Sequence, residues 1–253
     1  MKKRLMAAVL STAMAATMLL TGSISVQAAD AAAANDPAVE LIFTSVSVSG
    51  DSHTEAMYEF ADKVEELSGG SVTCKCYDNG SLFSSENEFD ALLNGDADLA
   101  YISFPTIATQ IPSYSMFASG YLFSSYEHMT SVLNGDIGLN KIRPQIEETL
   151  NIKPLSSFYL GSRVINTREK EINSYDDMNG LLLRMPNSEA WLFLGEALGA
   201  NPTPLSFSEL YTALQTGAVD AQDNPLPSIE SAKFYEVTKL SLIHISEPTR
   251  RSY

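Results

Sequence analysis

Two arginines, Arg163 and Arg184, stand out because each follows an apolar run in a strongly acidic chain. Arg163 closes the segment SSFYLGSR, Arg184 closes LLLR, and the formal net charge of the 253 residues is −15. If both runs are strands of an open α/β sheet, their carboxyl ends point towards a ligand crevice. A guanidinium held there binds a carboxylate through two parallel hydrogen bonds, strengthened by apolar surroundings. Either arginine alone suits a surface ion pair equally well, but two of them near few acidic residues predict an anion site.

Uncharged partners for an anion occur in the same part of the chain. Phe207 and Tyr211 offer aromatic faces for a carbon skeleton, although a core position suits Phe207 equally well. Asn224 lies in an Asn-Pro turn after a second apolar run, and its amide can distinguish oxygen from nitrogen. With the arginines, these side chains predict the capture of a small carboxylate rather than chemistry on it.

The sequence offers little for catalysis. The segment Gly50-Asp51-Ser52-His53 resembles the surroundings of a serine nucleophile, but the start of a helix explains it better. A serine hydrolase needs a base and an orienting acid, and the other histidines are His128, in a predicted helix, and His244, near the C-terminus. There is no glycine-rich phosphate loop and no metal-ligand spacing. We therefore predict no catalytic residue, metal or cofactor, and a hydrolase using Ser52 is the less favoured alternative.

The N-terminus has the pattern of a cleavable signal peptide. Lys2, Lys3 and Arg4 precede an apolar stretch that is short for a membrane span, and a cleavage site follows at Ala28. We assign residues 1–28 to the signal peptide and 29–40 to a flexible mature N-terminus, which places the protein in the periplasm or extracytoplasmic space. Removing three positive charges takes the net charge from −15 to −18. Such acidity excludes nucleic acid as a partner.

The mature chain alternates between strand and helix patterns, which is typical of an α/β fold. Residues 41–47, 72–77 and 97–103 read as strands, separated by helices at 52–67 and 85–93, so a parallel βαβαβ unit is expected. Capping-box spacings at Ser85 and Ser206 predict two helix starts. The later pattern predicts strands at 153–159, 180–185 and 218–222, and helices at 126–133, 142–150, 188–198, 206–217 and 228–236.

Three long segments carry a family resemblance: GSRVINTREKEINSYDDMNGLLLRMPNS, GANPTPLSFSELYTALQTGAVDAQDNPL and KFYEVTKLSL. Over residues 41–242 the chain resembles the dicarboxylate-binding (DctP-type) solute-binding proteins of tripartite ATP-independent periplasmic (TRAP) transporters. The resemblance implies a two-lobed, type II-like periplasmic binding fold, with parallel and mixed sheets flanked by helices and a ligand cleft between the lobes. It assigns 41–129 to lobe I and 130–242 to an incomplete lobe II whose C-terminal crossover is missing, and leaves 243–253 as a non-native tail.

The resemblance also implies roles for individual residues. Arg184 would form a salt bridge with the ligand carboxylate and Arg163 would assist. Asn224 and Phe207 would line the same cleft, and Asn187 and the region around Ser103 would add contacts. Sialic-acid-binding members carry an acidic residue near the position of Ser103, so this chain is expected to take another acid.

The function implied is that of an extracytoplasmic, monomeric solute-binding subunit without enzymatic activity. It would capture a C4-dicarboxylate or a sugar acid, close its lobes about a hinge, and deliver the ligand to the membrane permease of a TRAP transporter. A binding protein of an ATP-driven (ABC) importer, or of a sensor, is the alternative that the residues leave open.

Overall fold

A computed structural model describes residues 38–244 and shows an α/β fold with two sheets. The first sheet has three parallel strands in the order β2-β1-β3, with β1 at Val39–Thr44, β2 at Val72–Tyr77 and β3 at Leu99–Ala100. Helices α1 (Ser52–Ser68) and α2 (Glu88–Asn94) connect them. The predicted parallel βαβαβ unit is confirmed, although β3 is much shorter than the sequence pattern indicated.

Local signals set both ends of α1. The Asp51 carboxylate accepts a hydrogen bond from the backbone N–H of His53 at 2.9 Å, which caps the first turn. Gly69 ends the helix in the left-handed conformation with φ of 62°, where its backbone N–H bonds back into the last turn. Phe60 packs edge-to-face on Phe43 of β1, with 5.8 Å between ring centroids, and so holds α1 on the sheet.

The two predicted capping boxes are wrong. Helix α2 begins at Glu88 with Asn87 as its N-cap, and the Ser85 hydroxyl donates to Glu86 instead. Ser206 likewise donates to the Glu209 carboxylate at 2.6 Å, but its helix begins only at Leu210. In both cases the serine lies before the helix and is not its N-cap residue.

A helical segment follows the first sheet. It comprises α3 (Phe104–Ile107), a 3₁₀ turn (Pro112–Ala118), α4 (Tyr126–Leu133), a π turn (Gly138–Ile142) and α5 (Arg143–Leu150). Ile146 of α5 packs in one buried cluster with Phe89, Ile107 and Tyr114, so α5 joins the helices of the first sheet. The division into lobes at residues 129 and 130 stays a prediction.

The predicted strand at 153–159 is wrong. The structure has no strand between residues 151 and 162, and the apolar side chains Leu155, Phe158 and Leu160 are exposed. Side chains take the place of a neighbouring strand: the Asn134 amide bonds to both the N–H and the C=O of Ser157, at 2.9 and 2.8 Å. The backbone groups of Ser157 are therefore satisfied without a neighbouring strand.

The second sheet is mixed and has five strands in the order β6-β5-β7-β4-β8. These are β4 (Arg163–Thr167), β5 (Leu182–Met185), β6 (Asn201–Pro204), β7 (Ala221–Pro225) and β8 (Leu240–His244). Strand β5 runs parallel to β6 and β7, whereas β4 runs antiparallel to β7 and β8. The predicted mixture of parallel and mixed sheets flanked by helices is confirmed.

Alternation along β4 separates two buried clusters on opposite faces of this sheet. Ile165 packs with Leu183, Met185 and Trp191, the last from α6 (Glu189–Ala197). Val164 packs on the other face, with residues of α7 (Leu210–Thr216) and α8 (Leu226–Ser231). The sheet is thus covered on both sides, and only its strand ends are open to a ligand.

The ends of the chain lie largely outside the described residues. Strand β8 extends through His244, so the predicted tail at 243–253 begins inside a strand, and His244 of that tail pairs with Val164 of β4. The predicted signal peptide and residues 245–253 are outside the described range. Among residues 38–244, no helix has the length and apolar character needed to cross a membrane.

Candidate functional site

Arg184 is the most deeply buried ionisable side chain in the cleft between the two sheets, with 2% of its surface exposed. Its Nε donates to the carbonyl oxygen of Leu205 at 2.8 Å, and its Cζ lies 6.0 Å from the centroid of the Phe207 ring. No carboxylate in the described part of the chain forms a salt bridge with it. The guanidinium therefore carries a buried positive charge that the Leu205 carbonyl and the Phe207 ring contact directly, without a salt bridge to any carboxylate of the described residues.

The surroundings of Arg184 disfavour its charge without removing it. The pKa of Arg184 is lowered to about 10, mainly by burial and to a smaller extent by the positive charge of Arg163, while the negative charges of Asp223 and Glu86 act in the opposite direction. A pKa near 10 leaves the guanidinium protonated at neutral pH. A bound anion would relieve the cost of this buried charge.

Arg163 differs from the sequence expectation in two ways. It begins β4 rather than ending a strand, and it lies beside an acidic residue. Its Nε donates to Asp223 Oδ2 at 2.7 Å and its Nη2 to Asp223 Oδ1 at 3.1 Å. Because β4 runs antiparallel to β7, Arg163 pairs with Pro225 at the carboxyl end of β7. The reversed strand therefore delivers Arg163 to the sheet edge that Arg184 approaches from the parallel strand β5.

Three charges make up the centre of the site. Asp223 is fully buried and pairs with Arg163, whose side chain is 17% exposed and lies 4.7 Å from the ring centroid of Trp191. Arg163 and Asp223 cancel each other formally, so the cluster with Arg184 carries a net charge of +1. This balance suits one carboxylate.

Asn224 takes part in a network of buried amides. Its Nδ2 donates to Gln222 Oε1 at 2.5 Å, and its Oδ1 accepts from Arg163 Nη2 at 3.3 Å. The Gln222 amide donates in turn to Asn166 Oδ1 at 3.4 Å. Asn224 lines the cleft, but its amide is already engaged in holding Arg163.

The structure brings most predicted site residues together. Five of the predicted site residues line one cleft of about 1500 Å³, namely Arg163, Arg184, Asn224, Phe207 and Ser103. Asn187 lines a smaller pocket of about 190 Å³ beside it. Tyr211 lines neither cavity, because its hydroxyl donates to Glu236 at 2.8 Å and its ring packs against the cluster of Leu210 and Leu214.

Sequence reasoning missed two buried acids. Asp223 stands directly before Asn224. The signal for an ion pair was an acidic residue inside a buried strand, next to a strand that carries an arginine. Glu88 lines the cleft from α2 and is 4% exposed. Burial raises its pKa from 4.5 to about 8, against a smaller lowering by the Thr44 hydroxyl. Neither Glu88 Oε1 nor Thr44 Oγ1 has a partner in hydrogen-bond geometry within the described residues.

The segment at Ser52 forms the start of helix α1. This agrees with the favoured prediction of a helix start rather than a serine nucleophile. Asp51 caps α1, Ser52 is its exposed first residue, and the His53 ring lies 3.3 Å from Asp51 through Nδ1. Within the described range no hydrogen bond joins Ser52 to an imidazole. The residues needed for a nucleophile and its base are therefore not assembled.

Comparisons with known proteins agree with this geometry. The chain is 35% identical over 185 residues to the sialic acid-binding periplasmic protein SiaP of Vibrio cholerae, covering 73% of this chain and 57% of the relative. A TRAP periplasmic solute-binding protein of Roseobacter denitrificans with bound 3-deoxy-D-manno-oct-2-ulosonic acid superposes with a TM-score of 0.74 at 41% identity. That superposition covers 79% of this chain and 66% of the Roseobacter protein.

A similar protein of Sulfurospirillum deleyianum with bound succinate gives a TM-score of 0.74 at 28% identity, covering 81% of this chain and 66% of that one. The chain thus spans a little over half the length of the curated relative and two thirds of the solved structures. These relatives are substrate-binding proteins, not enzymes. Residues 43–245 match the family described as bacterial extracellular solute-binding protein, family 7, and the chain belongs to that family.

Proposed function

We propose that the protein is the solute-binding subunit of a TRAP transporter and captures a small organic acid through Arg184. The relatives named above bind sialic acid, 3-deoxy-D-manno-oct-2-ulosonic acid and succinate, so sugar acids and C4-dicarboxylates are the candidate classes. Export by the N-terminal signal peptide, capture in the periplasm and delivery to a membrane permease complete the proposal.

The observation that carries the proposal is the buried and unpaired guanidinium of Arg184. A buried charge is costly unless a partner compensates it, and here no carboxylate within residues 38–244 does so. The bond from Nε to Leu205 fixes the plane of the guanidinium and leaves both terminal nitrogens for a ligand. A carboxylate would meet these two donors in the bidentate geometry that arginine favours.

Two hydrogen bonds already join the two sides of the cleft. Ser231 of α8 donates to Asp51 at the start of α1 at 3.2 Å, and the Phe207 N–H donates to Ser85 Oγ at 3.4 Å. The proposed hinge closure would bring lobe I, at 41–129, against lobe II, at 130–242, around the acid. Contacts of this kind hold the closed form once the ligand has neutralised Arg184.

The proposal is tested by replacing the arginine. A thermal-shift screen of sugar acids, keto acids and C4-dicarboxylates first selects an acid that raises the melting temperature. Arg184→Ala should then weaken binding of that acid by at least about 2 kcal/mol in titration calorimetry, because one partner of a buried charge pair is lost. Arg168→Ala, which changes an arginine directly after β4 that does not line the cleft, is the matched control and should bind normally.

Unchanged affinity in Arg184→Ala would remove the basis of the proposal. The same screen tests the expectation drawn from Ser103, since sialic acid should give no shift while other acids do.

A further inference from the structure

A second, smaller pocket opens beside the arginine site. It has a volume of about 190 Å³ and shares Ser85, Phe89, Thr106 and Pro186 with the larger cleft. It lies between α2 and α3 on one side and the residues that follow β5 on the other, only a few residues along the chain from Arg184. The pocket therefore borders the cleft that Arg184 lines.

The lining of this pocket combines apolar side chains with polar groups, and its charged groups have the opposite sign from the arginine site. It includes the carboxylates of Glu86 and Asp90, the amides of Gln110 and Asn187, and the hydroxyls of Thr106 and Ser188, with no lysine or arginine. The Glu86 carboxylate is held in place by the hydroxyls of Ser84, at 2.6 Å, and Ser85, at 3.1 Å. Glu86 also acts electrostatically on Arg184, so the two groups are near enough to influence one ligand.

Ser188 is a buried hydroxyl without a partner. It is the N-cap residue of α6, yet its side chain makes no capping hydrogen bond. The residue is 8% exposed, and no hydrogen-bond partner for its Oγ lies within the described residues. A buried hydroxyl left unsatisfied is costly, so this atom indicates a missing polar group in the pocket that it lines.

We propose that this pocket is a distal subsite for ligand hydroxyl groups, which makes the protein selective for polyhydroxylated monocarboxylates over dicarboxylates. The inference rests on the proposed function, because it needs a carboxylate anchored at Arg184. Hydroxyl groups donate to the carboxylates of Glu86 and Asp90 and to the amide oxygens, and they can satisfy Ser188. A second carboxylate would meet two like charges and no cation, since Arg163 is neutralised by Asp223.

Three six-carbon acids separate these possibilities in titration calorimetry of the purified protein. D-gluconate has one carboxylate and five hydroxyls, adipate has two carboxylates, and hexanoate has one carboxylate and no hydroxyl. We expect gluconate to bind at least about tenfold more tightly than either of the other two. Equal affinity for gluconate and adipate, or for gluconate and hexanoate, would overturn the subsite.

Variants of the pocket refine the test. The double variant Glu86→Gln with Asp90→Asn should reduce the preference for gluconate over adipate at least about fivefold, since the repulsion of a second carboxylate is removed. Ser188→Ala should weaken gluconate several-fold and leave hexanoate unchanged, because only gluconate can pair with the hydroxyl. Asp62→Asn with Glu65→Gln on the exposed side of α1 is the charge-matched control and should leave every affinity unchanged.

Arg184→Ala distinguishes failure of the subsite from failure of the proposed function. If it abolishes gluconate binding while wild type shows no preference among the three acids, the arginine site stands and the subsite falls. If gluconate does not bind to wild type, the subsite falls, and the acid selected in the screen still tests Arg184; if gluconate binds equally well to wild type and Arg184→Ala, both proposals fail. An unchanged gluconate-to-adipate preference in the double variant also counts against the subsite.

Discussion

The two sides of the cleft present different kinds of group. On the five-stranded sheet, Arg163, Arg184 and Asp223 lie within strands and are held by neighbours in defined hydrogen-bond geometry; Arg184 and Asp223 are buried, and Arg163 is partly buried. On the side of the three-stranded sheet, Ser103 and Glu86 lie in the segments that lead from β3 into α3 and from β2 into α2, and both are exposed. Under the two proposals, strand residues would supply the charge that meets a carboxylate, and turn residues would supply the polar groups that meet the rest of the ligand. Substitution in turns disturbs a fold less than substitution in strands, so the second set is freer to vary with the ligand.

The largest effect in this comparison is expected on the strand side, from Asp223→Asn. The change keeps the shape of the side chain but leaves the charge of Arg163 uncompensated next to Arg184. We expect the free energy of unfolding to fall by about 3 kcal/mol, the low end of values for a broken buried pair, because Arg163 is 17% exposed. Urea denaturation measures the loss, with the exposed Asp176→Asn as control. Equal stability of the two variants would show that the pair does not stabilise the fold.

On the other side of the cleft, Glu88 should make stability depend on pH. Its pKa is 4.5 in an unfolded chain and about 8 in the folded one. Between these values the unfolded chain releases the proton while the folded chain keeps it, so the free energy of unfolding falls as pH rises. The slope is about 1.4 kcal/mol per pH unit, and above pH 8 it levels off. Burial of this carboxyl thus destabilises the fold at neutral pH.

Glu88→Gln tests this directly because the variant does not titrate at that position. From pH 5.5 to pH 7 the variant should gain about 2 kcal/mol in unfolding free energy relative to wild type, as measured by urea denaturation. Glu65→Gln, on the exposed side of α1, should show no such gain. A difference between Glu88→Gln and wild type that stays constant with pH would mean that Glu88 is ionised in the folded protein.

The same contrast explains what the sequence could and could not predict. Strand β2 and helix α4 were predicted with their observed bounds, and α1 to within one residue. The bounds of α1 could be predicted because Asp51 and Gly69 are local signals that act within one helical turn. The strand predicted at 153–159 failed because alternation shows which residues suit a strand, not whether another strand pairs with it. Here the side chains of Asn134 and Arg143 take its hydrogen bonds.

For the site, the residues that line the cleft were predicted better than the contacts between them. Arg184 and Phe207 line the cleft, and their strand-end and aromatic character was visible in the sequence. The pairing of Arg163 with Asp223 joins residues 60 positions apart, and it depends on β4 running antiparallel to β7. Strand direction depends on the connections of the whole sheet, so neither local pattern nor charge count could show that one arginine is neutralised and the other is not.

The smallest effect should come from Tyr211, which the sequence grouped with Phe207 but which lines neither cavity. Its hydroxyl donates a hydrogen bond to the exposed Glu236, and exposed contacts of this kind contribute little to stability. Tyr211→Phe should therefore change the free energy of unfolding by less than about 0.5 kcal/mol and leave the affinity for gluconate unaltered. Phe207→Leu, four residues earlier, removes the ring next to Arg184 and should weaken gluconate several-fold. The two variants therefore separate an aromatic residue of the cleft from one of the core on a single short segment. If Tyr211→Phe weakens binding as much as Phe207→Leu, the ligand reaches beyond the cleft defined here, and Tyr211 belongs to the site after all.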